Sequence, residues 1–502
     1  MLATVLAGLV HGLEARLVEV QVDVSPSGVP GFFLVGLASG SVREARERVR
    51  TAIRNTGLAF PQRRLTVNLA PAEVRKDGSG LDLAIAVGIS LAALGRRAPD
   101  GVAFLGELAL DGAVRHVDGV LVVARGLLRQ GVKELFVAPS DAAEAALAGG
   151  LRVRPAPNLG SVIGHLTGEA PLDCYSGSLP EPQPAPPELD LAEVHGQEGA
   201  RRALEIAAAG GHHLLMWGPP GAGKTMLARC LPGLLPPMDL DEALELAQVR
   251  SVLGELPGAG PLEWRRPFRS PHHSISLAGL VGGGSRHGRP GEVSRASNGV
   301  LFLDELAEFA GATLQALRQP LEQGRVVITR SGGSVAFPAR FQLVAATNPC
   351  PCGWAGDGGR PCRCSPPAVD AYLRGLTGPL LDRIDIQVHV PRVAPESLGR
   401  ESSGESSSVV RARALRARSR QAERQGMLNS ALRDAHLRRW APLGATARRG
   451  LERWARETGL SARAFHRAWR VARTLADLDD VAEVEERHVM EAIGYRLVEQ
   501  AA

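Results

Sequence analysis

The residues of this chain best suited to chemistry form the pattern G-x-x-x-x-G-K-T at 218–225, inside the stretch WGPPGAGKTML. The glycines of such a pattern let consecutive backbone N–H groups surround phosphate oxygens, and a following helix adds the positive end of its dipole. The predicted nucleotide-binding residues are Gly218, Pro219, Pro220, Gly221, Ala222, Gly223, Lys224 and Thr225.

Lysine is rare in this sequence, which has 58 basic residues but lysine only at 76, 133 and 224. A slender ammonium group fits inside a phosphate loop where a wide guanidinium would not. We therefore expect Lys224 to contact the β and γ phosphates of ATP, and Thr225 to offer its hydroxyl to Mg²⁺.

Two further segments carry side chains suited to hydrolysis. In GVLFLDEL, residues 299–306, a buried strand is expected to place Asp304 on the water shell of Mg²⁺ and Glu305 beside the attacking water. The segment FQLVAATN ends in Asn348, whose amide can hold a water near the γ phosphate. With the phosphate loop, these side chains predict a site that hydrolyses ATP.

The elements that must position these residues are short apolar strands separated by helices. LLMWG, GVLFLDEL, FQLVAATN and DIQVHV have the pattern of buried strands in a mostly parallel sheet with its site at the strand ends. Upstream, strand-like VEVQVDV, RLTVNLA, VAFLGEL and ELFVAP alternate with helical SVREARERVRTAIRNTG and LDLAIAVGISLAALG. The predicted fold class is α/β, with a helical final region.

Two segments separate these regions. PLDCYSGSLPEPQPAPPELD is a linker stiffened by proline, and PESLGRESSGESSS is a polar stretch with little to bury. The sequence therefore predicts a first domain at 1–166, a linker at 167–190, an ATPase domain at 191–394, a flexible linker at 395–408 and a helical domain at 409–502.

Composition and length describe a soluble protein of several domains, with 502 residues, 44% of them hydrophobic and 22% charged. The longest apolar run is short for a bilayer and carries Asp82, so no membrane span is predicted. The N-terminal MLATVLAGLVHGLEARL lacks a basic region and a cleavage site, which favours a first strand over a signal peptide. The cysteines do not resemble a secreted disulfide framework, and we predict a cytoplasmic location.

Positive charge is concentrated near the C-terminus. The net charge is +5, and the span 411–473 holds 17 arginines against the four acids Glu423, Asp434, Glu452 and Glu457. A field of this sign suits the phosphates of nucleic acids or nucleotides. A solvated helical face in an arginine-biased sequence explains the same pattern equally well, so both interpretations stay open.

The cysteines at Cys350, Cys352, Cys362 and Cys364 have the spacing C-x-C, nine residues, C-x-C. Thiolates in such a loop can bind Zn²⁺ tetrahedrally, but the usual spacing is C-x₂-C and a single intervening residue strains a shared metal. Free thiols are the alternative, since two disulfides do not suit a reducing compartment. The adjacent His272 and His273 diverge, which favours loop contacts over a metal pair.

The motif order resembles the AAA+ ATPases. Three segments, FRSPHHSISLAGLVGGGSRHGRPGEVSRASNGVLFLDE, RVVITRSGGSVAFPARFQLVAATNPCPCG and GPLLDRIDI, look like the magnesium-chelatase and MCM-helicase branch. Over its whole length the chain is similar to the ComM/YifB family of magnesium-chelatase-like bacterial proteins. This resemblance implies a Lon-protease-like N-terminal domain of the ribosomal S5 domain 2 type, an AAA+ P-loop core with a parallel sheet, and a C-terminal helical lid. It also implies a ring-shaped homo-oligomer, a hexamer, that uses ATP and Mg²⁺.

The resemblance also assigns residues. The arginine of the LLDRID segment, Arg383, corresponds to a finger that completes the neighbouring subunit's site, and SARAFHRAWRVARTLADL makes Arg463 the sensor 2 arginine that reaches the γ phosphate from the lid. An insertion at about 268–291 and a hairpin at about 325–340 resemble pore elements that grip DNA. There Arg330 and Arg340 either contact phosphates or remain solvated.

The N-terminal segments APAEVRKDGSGLDLAIAVGI and FLGELALDGAVRHVDGVL resemble the proteolytic domain of Lon proteases and the corresponding domain of RadA. A Ser-Lys protease needs a desolvated lysine near its serine. Ser79 is near the serine's position, but the lysine's position falls on Leu121, which cannot take a proton. We therefore expect a scaffold or DNA-contacting module without protease chemistry.

Three functions follow from the resemblance and the charge distribution. The first is a DNA motor, a branch-migration helicase acting on branched or single-stranded DNA in recombination during natural transformation. The second is a remodelling motor of the magnesium-chelatase type without a DNA substrate. The third, an ATP-dependent protease, is opposed by Leu121.

Overall fold

A computed structural model describes the chain over 2–26, 29–36, 40–73, 76, 78–177, 187–256, 262–284, 288–330, 333–356, 360–376, 380–393, 404–459 and 461–496. Within these ranges, no helix is both long and apolar enough to cross a bilayer.

Alternating apolar residues build the N-terminal sheet, in which Ala3, Val5 and Ala7 of the first strand are buried. The strands are β1 Leu2–His11, β2 Glu14–Ser25, β3 Gly31–Val35, β4 Arg64–Ala70, β5 Val102–Phe104, β6 Glu107–Leu108, β7 Val114–Arg115, β8 Glu134–Val137 and β9 Arg152–Pro155. The helices are α1 Gly40–Asn55, α2 Asp82–Leu94, α3 Val120–Arg129, α4 Ala142–Ala146 and α5 Leu159–Thr167.

Seven of these strands form a mixed sheet in the order β3-β4-β2-β1-β5-β8-β9, and β6 and β7 form a separate antiparallel pair. The pairs β1–β2 and β2–β4 are antiparallel, whereas β3–β4, β1–β5, β5–β8 and β8–β9 are parallel. Helices cover both faces, so each face has its own apolar core. The apolar segment that begins with Asp82 is the buried helix α2, and the N-terminal apolar stretch is the strand β1, as predicted.

The middle of the chain forms a second sheet. Its strands and the small ribbons beside it are β10 Leu214–Trp217, β11 Phe268–Arg269, β12 Gly282–Gly283, β13 Arg289–Pro290, β14 Val300–Leu303, β15 Arg325–Arg330, β16 Gly333–Pro338, β17 Gln342–Thr347 and β18 Ile386–His389. The helices are α6 Glu198–Gly210, α7 Lys224–Leu234, α8 Leu240–Val252, α9 Leu277–Val281, α10 Glu292–Arg295, α11 Gly311–Ala316, α12 Arg318–Gln323 and α13 Pro366–Leu376.

The main sheet of this region has the order β11-β14-β17-β10-β18, with every neighbouring pair parallel. Its strands are buried, as expected of a parallel sheet covered on both faces. All four segments predicted as strands are present, because short apolar runs between helices have few other stable arrangements. We call this the ATPase sheet, and its two ends the carboxyl edge and the amino edge.

The final region is helical, as predicted. Its helices are α14 Ser407–Gln425, α15 Asp434–Trp440, α16 Ala445–Thr458, α17 Ala462–Leu478 and α18 Glu486–Gly494. We call these five helices the lid. The helix α14 begins within the segment predicted as a flexible linker. There Ser407 bonds to the start of the ATPase region: Leu191 N donates to Ser407 Oγ at 2.7 Å, and Ser407 N donates to Asp190 Oδ1 at 2.9 Å.

A buried polar network joins the lid to the amino edge of the ATPase sheet. The ring of His212 lies 2.8 Å from Asp385 Oδ2 through Nδ1 and 2.7 Å from Thr474 Oγ1 of α17 through Nε2. Burial alone would raise the pKa of Asp385, but the hydrogen bond and charge of His212 outweigh it and hold that pKa below its usual value. The lid is therefore fixed to the sheet by paired groups, because unpaired groups at this depth would be costly.

The N-terminal domain packs against the ATPase region through a separate apolar cluster. Leu121 of α3 and Leu147 are buried with Met238, Leu244 and Trp264. Such a cluster fixes α3 against α8 by removing apolar surface from water.

Candidate nucleotide-binding site

The phosphate loop lies between β10, which ends at Trp217, and α7, which begins at Lys224. Gly221 and Gly223 have φ values of 75° and 90°, in the left-handed region that favours glycine. A Cβ on Gly218 would lie 2.1 Å from the carbonyl oxygen of Val390, so only glycine fits this approach to the neighbouring strand. The loop therefore has the strand, turn and helix that the pattern predicts.

Lys224 lies inside the loop and is only 8% exposed. Its Nζ donates to the carbonyl oxygens of Gly218 and Pro219 at 2.6 and 3.0 Å, and to Asn348 Oδ1 at 3.1 Å. Burial lowers the pKa of Lys224, and the carboxylates of Asp304 and Glu305 partly oppose that shift. The ammonium group is thus held at the loop, next to the end of β17.

The acidic pair follows β14 directly, as the sequence predicts. Thr225 Oγ1 donates to Asp304 Oδ2 at 2.8 Å, which brings together the two side chains expected at Mg²⁺. Glu305 has a φ of 52°, a left-handed conformation that is rare and strained for a residue other than glycine. Its Oε2 lies 3.4 Å from His273 Nδ1, so one of the two adjacent histidines contacts the candidate base.

Arg383 lies at the opposite edge of the ATPase sheet. In the β10–β18 register, Leu214 pairs with Ile386 and Trp217 pairs with His389. The phosphate loop follows Trp217 at one end of this strand pair, whereas Arg383 precedes Ile386 at the other end. The length of the paired strands, about 10 Å, therefore separates the phosphate loop from Arg383. In this chain Arg383 donates to Glu322 instead of facing the phosphate loop.

Arg463 lies on the same side as Arg383. Its Nη1 is 3.7 Å from Asp382 Oδ2, and Arg467 from the same helix is 3.6 Å from Asp382 Oδ1. The two arginines differ in exposure, because the side chain of Arg463 is 72% exposed and that of Arg467 is 4% exposed. The structure therefore groups Arg463 with Arg383 and not with Lys224.

A basic cleft of about 840 Å³ opens at this amino edge. Its wall includes Gly299, which precedes β14, and Gln342, which begins β17. The cleft therefore lies where these parallel strands start. Its cationic lining consists of Arg266, Arg340, Arg383, Arg418, Arg433, Arg467 and Arg470. The amino edge thus presents seven guanidinium groups beside the carboxylates of Glu242, Glu322, Asp382 and Asp385, and the carboxyl edge presents the phosphate loop with Asp304 and Glu305.

Sequence reasoning missed two side chains beside the loop. Gln197, at φ 58°, donates from Nε2 to the carbonyl oxygens of Ala222 and Pro391 at 3.0 and 2.6 Å, which ties the phosphate loop to the end of β18. His389 packs against Trp217 with ring centroids 4.4 Å apart and the ring planes tilted by 45°. The only signals in the sequence were a glutamine just before α6 and a histidine ending a strand, and neither is distinctive by itself.

Three regions of the chain match families named for one subunit of magnesium chelatase. "Subunit ChlI of Mg-chelatase" matches residues 18–141, "Magnesium chelatase, subunit ChlI" matches 190–398, and "Magnesium chelatase, subunit ChlI C-terminal" matches 404–496. The competence protein ComM of Haemophilus influenzae is 43% identical over 503 aligned positions, covering 99% of this chain and 97% of the relative. YifB of Escherichia coli is 42% identical over 503 positions, covering 97% and 96%. The chain belongs to the magnesium-chelatase-like ComM/YifB family.

A more distant relative is the magnesium-chelatase 38 kDa subunit of Rhodobacter capsulatus, which is 29% identical over 181 residues. The alignment covers 32% of this chain and 51% of the relative. The parallel ATPase sheet, the helical lid and the family together confirm the predicted α/β fold with an AAA+ core. They make the chain an AAA+ motor protein. The roles of individual site residues and the exact domain limits stay predictions.

The four cysteines of this ComM/YifB chain come together although their spacing is unusual. Their sulfur atoms all lie within 4.8 Å of one another. The Cys350–Cys352, Cys352–Cys362 and Cys350–Cys362 sulfurs are 3.4, 3.6 and 3.7 Å apart, too far for disulfide bonds. A tetrahedron with Zn–S bonds of about 2.3 Å has edges of about 3.8 Å, so the donor set fits Zn²⁺.

The N-terminal position that corresponds to a protease lysine serves a packing role. Leu121 is fully buried at the contact with α8, and its backbone N donates to Glu144 Oε1 at 2.9 Å. The hydroxyl of Ser251, on α8, donates to the same Glu144 oxygen at 2.6 Å. Ser79 donates to Glu107. Leu121 therefore contributes to the contact between α3 and α8.

The structure divides the C-terminal arginines into two groups. Some hold the lid together, as Arg424 and Arg473 do by bonding to the buried Asp477 at 2.6 and 2.8 Å. Others are exposed on α16: Arg448, Arg449 and Arg453 have no side-chain ion pair or hydrogen bond within the described residues. The arginines of the first group fit neither interpretation of the positive charge, and the exposed arginines of the second group fit both.

The hairpin of the predicted pore region is present as the antiparallel pair β15–β16. Arg340, which follows it, bonds to Glu245 and is therefore neutralised within the chain. The side chain of Arg330 lies outside the described residues.

Proposed function

We propose that this protein is a ring-forming, hexameric ATPase that converts ATP hydrolysis into movement along DNA, as a branch-migration helicase in recombination during natural transformation. The observation that carries the proposal is the division of charged groups between the edges of the ATPase sheet. Lys224, Asp304 and Glu305 lie at the carboxyl edge, while Arg383 lies at the amino edge. One chain alone cannot close its own site, and a ring supplies the missing arginine from the next subunit.

In this proposal each side chain has one task. Lys224 binds the β and γ phosphates, and Thr225 with Asp304 holds Mg²⁺, which when bound neutralises phosphate charge. Glu305 takes a proton from the attacking water, and Asn348 orients that water. Arg383 and Arg463 of the adjacent subunit stabilise charge on the transferring phosphoryl group.

Two observations support DNA as the substrate. Arg448, Arg449 and Arg453 lie exposed on one helix and have no ion-pair partner in the part of the chain that the structure describes, which suits a phosphate backbone. The relative from Haemophilus influenzae is named a competence protein.

Subunit mixing tests the ring. Lys224→Ala and Arg383→Ala proteins should each be inactive, because one lacks the phosphate contact and the other lacks the finger. A mixture should regain turnover, since a Lys224→Ala subunit still offers Arg383 to an intact phosphate loop on its neighbour. The control is Arg318→Ala, which removes an exposed arginine near Glu322 and should keep full activity. A mixture as inactive as its components would contradict the shared site.

Fluorescence anisotropy with a labelled four-way junction tests the DNA substrate. Binding should strengthen with ATP and weaken in Arg449→Ala, with the salt dependence reduced by about one phosphate contact. Arg438→Ala is the matched control, because that exposed arginine is already bonded to Asp434 at 3.0 Å. Unwinding of the junction should require ATP hydrolysis.

The second candidate is a remodelling motor of the magnesium-chelatase type. It is favoured by the match of all three regions to families named for the chelatase subunit. This motor would hydrolyse ATP in a ring but would neither bind nor unwind the junction, even at low salt. That result would replace the DNA proposal while leaving the ATPase proposal standing.

A further inference from the structure

The candidate zinc ligands belong to a loop that begins at the end of β17. We call residues 350–356 and 360–364 the cysteine loop. Cys350 is fully buried and comes two residues after Asn348, the candidate water-orienting residue. The position of Asn348 therefore depends on where the first cysteine is fixed.

The sulfur atoms are also surrounded as metal-bound thiolates are. Ala355 N donates to Cys350 Sγ at 3.3 Å, and Cys364 N donates to Cys362 Sγ at 3.4 Å. Backbone N–H groups of this kind orient ligand sulfurs and stabilise their charge. Three sulfurs lie 3.4 to 3.7 Å from one another and the fourth lies within 4.8 Å of them all, so the four can supply an S₄ donor set, which is typical of structural zinc.

The cysteine loop touches the phosphate loop directly. Gly353, at φ 83°, approaches Pro220 so closely that a Cβ on Gly353 would lie 2.6 Å from the Pro220 ring. Trp354 lies between the guanidinium groups of Arg360 and Arg392, at 4.9 and 5.1 Å from the ring centroid. The loop is thus held between the phosphate loop and the end of β18.

Asn348 receives its other constraint from the ATP site itself, since its Oδ1 accepts from Lys224 Nζ at 3.1 Å. It lies between two fixed points, the ammonium group on one side and the cysteine cluster on the other. Releasing the cluster would free the chain on one side of Asn348 and withdraw the support behind Pro220.

We propose that the four cysteines bind one Zn²⁺ and that the zinc-ligated loop positions Asn348 and Pro220 for ATP hydrolysis. The positioning role rests on the proposed ATPase, whereas the zinc site does not. The metal joins a loop that lacks regular structure to the site, so loss of zinc should slow hydrolysis without preventing nucleotide binding. The cysteines are positioning residues, because they act on hydrolysis through Asn348 and Pro220.

Metal content is the first measurement. Full-length protein from zinc-supplemented cells should contain about one zinc per chain by inductively coupled plasma mass spectrometry. Cobalt in its place should give the absorption of tetrahedral cobalt thiolate. Cys362→Ser should lose most of the metal, whereas Cys174→Ser, which changes an exposed cysteine outside the cluster, should retain it. Protein without zinc and without a cobalt thiolate band would overturn the site.

Hydrolysis is the second measurement. In Cys362→Ser, kcat for ATP should fall about tenfold while the Kd of a fluorescent ATP analogue stays unchanged. Gly353→Ala keeps every ligand and should therefore keep its zinc, yet its kcat should fall because the methyl group pushes the loop away from Pro220. Full hydrolysis by both variants would overturn the positioning role. A parent protein that holds zinc but does not turn over ATP would overturn the proposed ATPase and the positioning role, and leave the zinc site standing.

Discussion

The two edges of the ATPase sheet differ in what their charged side chains contact. At the carboxyl edge, Lys224, Asn348, Thr225 and Asp304 bond to one another or to the loop at 2.6 to 3.1 Å, so the groups that bind phosphate are already assembled. At the amino edge, Arg383 is bonded to the exposed carboxylate of Glu322.

This difference shows where a single chain is complete and where it is not. Preorganised groups stabilise a transition state because they need no rearrangement when charge develops. The carboxyl edge has that property within one chain, whereas in our proposal the arginines of the amino edge reach a phosphate only when a second subunit brings one. The comparison leads to four predictions, taken in order of the size of their effects.

Arg383→Ala should produce the largest loss. If the amino edge supplies the finger, kcat should fall about a thousandfold, while binding of a fluorescent ATP analogue stays intact because the carboxyl edge is unchanged. Arg383→Lys should recover little, since an ammonium lacks the planar fork of a guanidinium. Steady-state ATPase assays at ring-forming concentrations measure both. A loss below tenfold would mean that the amino edge does not take part in hydrolysis.

His212→Ala tests whether the amino edge is rigid. The substitution leaves Asp385 buried without its main partner, and breaking a buried charged pair in this way costs about 3 kcal/mol of unfolding free energy. Urea denaturation measures the change. His466→Ala is the control, since its partner Asp434 is partly exposed at 3.3 Å and the loss should be below about 1 kcal/mol. Equal losses would show that the buried network does not hold the lid.

The carboxyl edge was largely predictable from the sequence. The phosphate-loop pattern, the acids after an apolar strand and Asn348 after the next strand each depend on local spacing, and parallel strands must bring their carboxyl ends to one edge. Nothing local predicts that Gln197 bonds to Ala222 or that His273 approaches Glu305, because these contacts depend on how distant loops fold back.

The cysteines and arginines show the limit more clearly. The C-x-C spacing argued against a shared metal, yet the fold brings all the sulfurs within 4.8 Å of one another, which no local spacing could predict. Composition could not separate Arg473, which is buried against Asp477, from Arg449, which faces solvent. Helix packing decides that, and the charge count is the same in both cases.

Glu305→Gln tests the carboxyl edge. The amide cannot take a proton from water, so kcat should fall about a hundredfold, while ATP binding and ring formation persist. Glu308→Gln, an exposed acid three residues on, should leave kcat unchanged. Turnover by Glu305→Gln at the parent rate would show that the strained residue at φ 52° is not the base.

Glu322→Gln should have the smallest effect and is the sharpest test of the difference between the edges. If the Glu322–Arg383 bond only occupies the arginine until a neighbour arrives, weakening it should change kcat by no more than about twofold, because exposed ion pairs contribute little. The assay compares kcat over a range of protein concentrations, so that any easier release of Arg383 appears at low concentration, where rings are scarce. A tenfold fall at all concentrations would mean that Glu322 holds Arg383 in its working position. In that case the amino edge is preorganised as the carboxyl edge is. The two edges then differ only in whether they act on the nucleotide of their own subunit or on that of the neighbouring subunit.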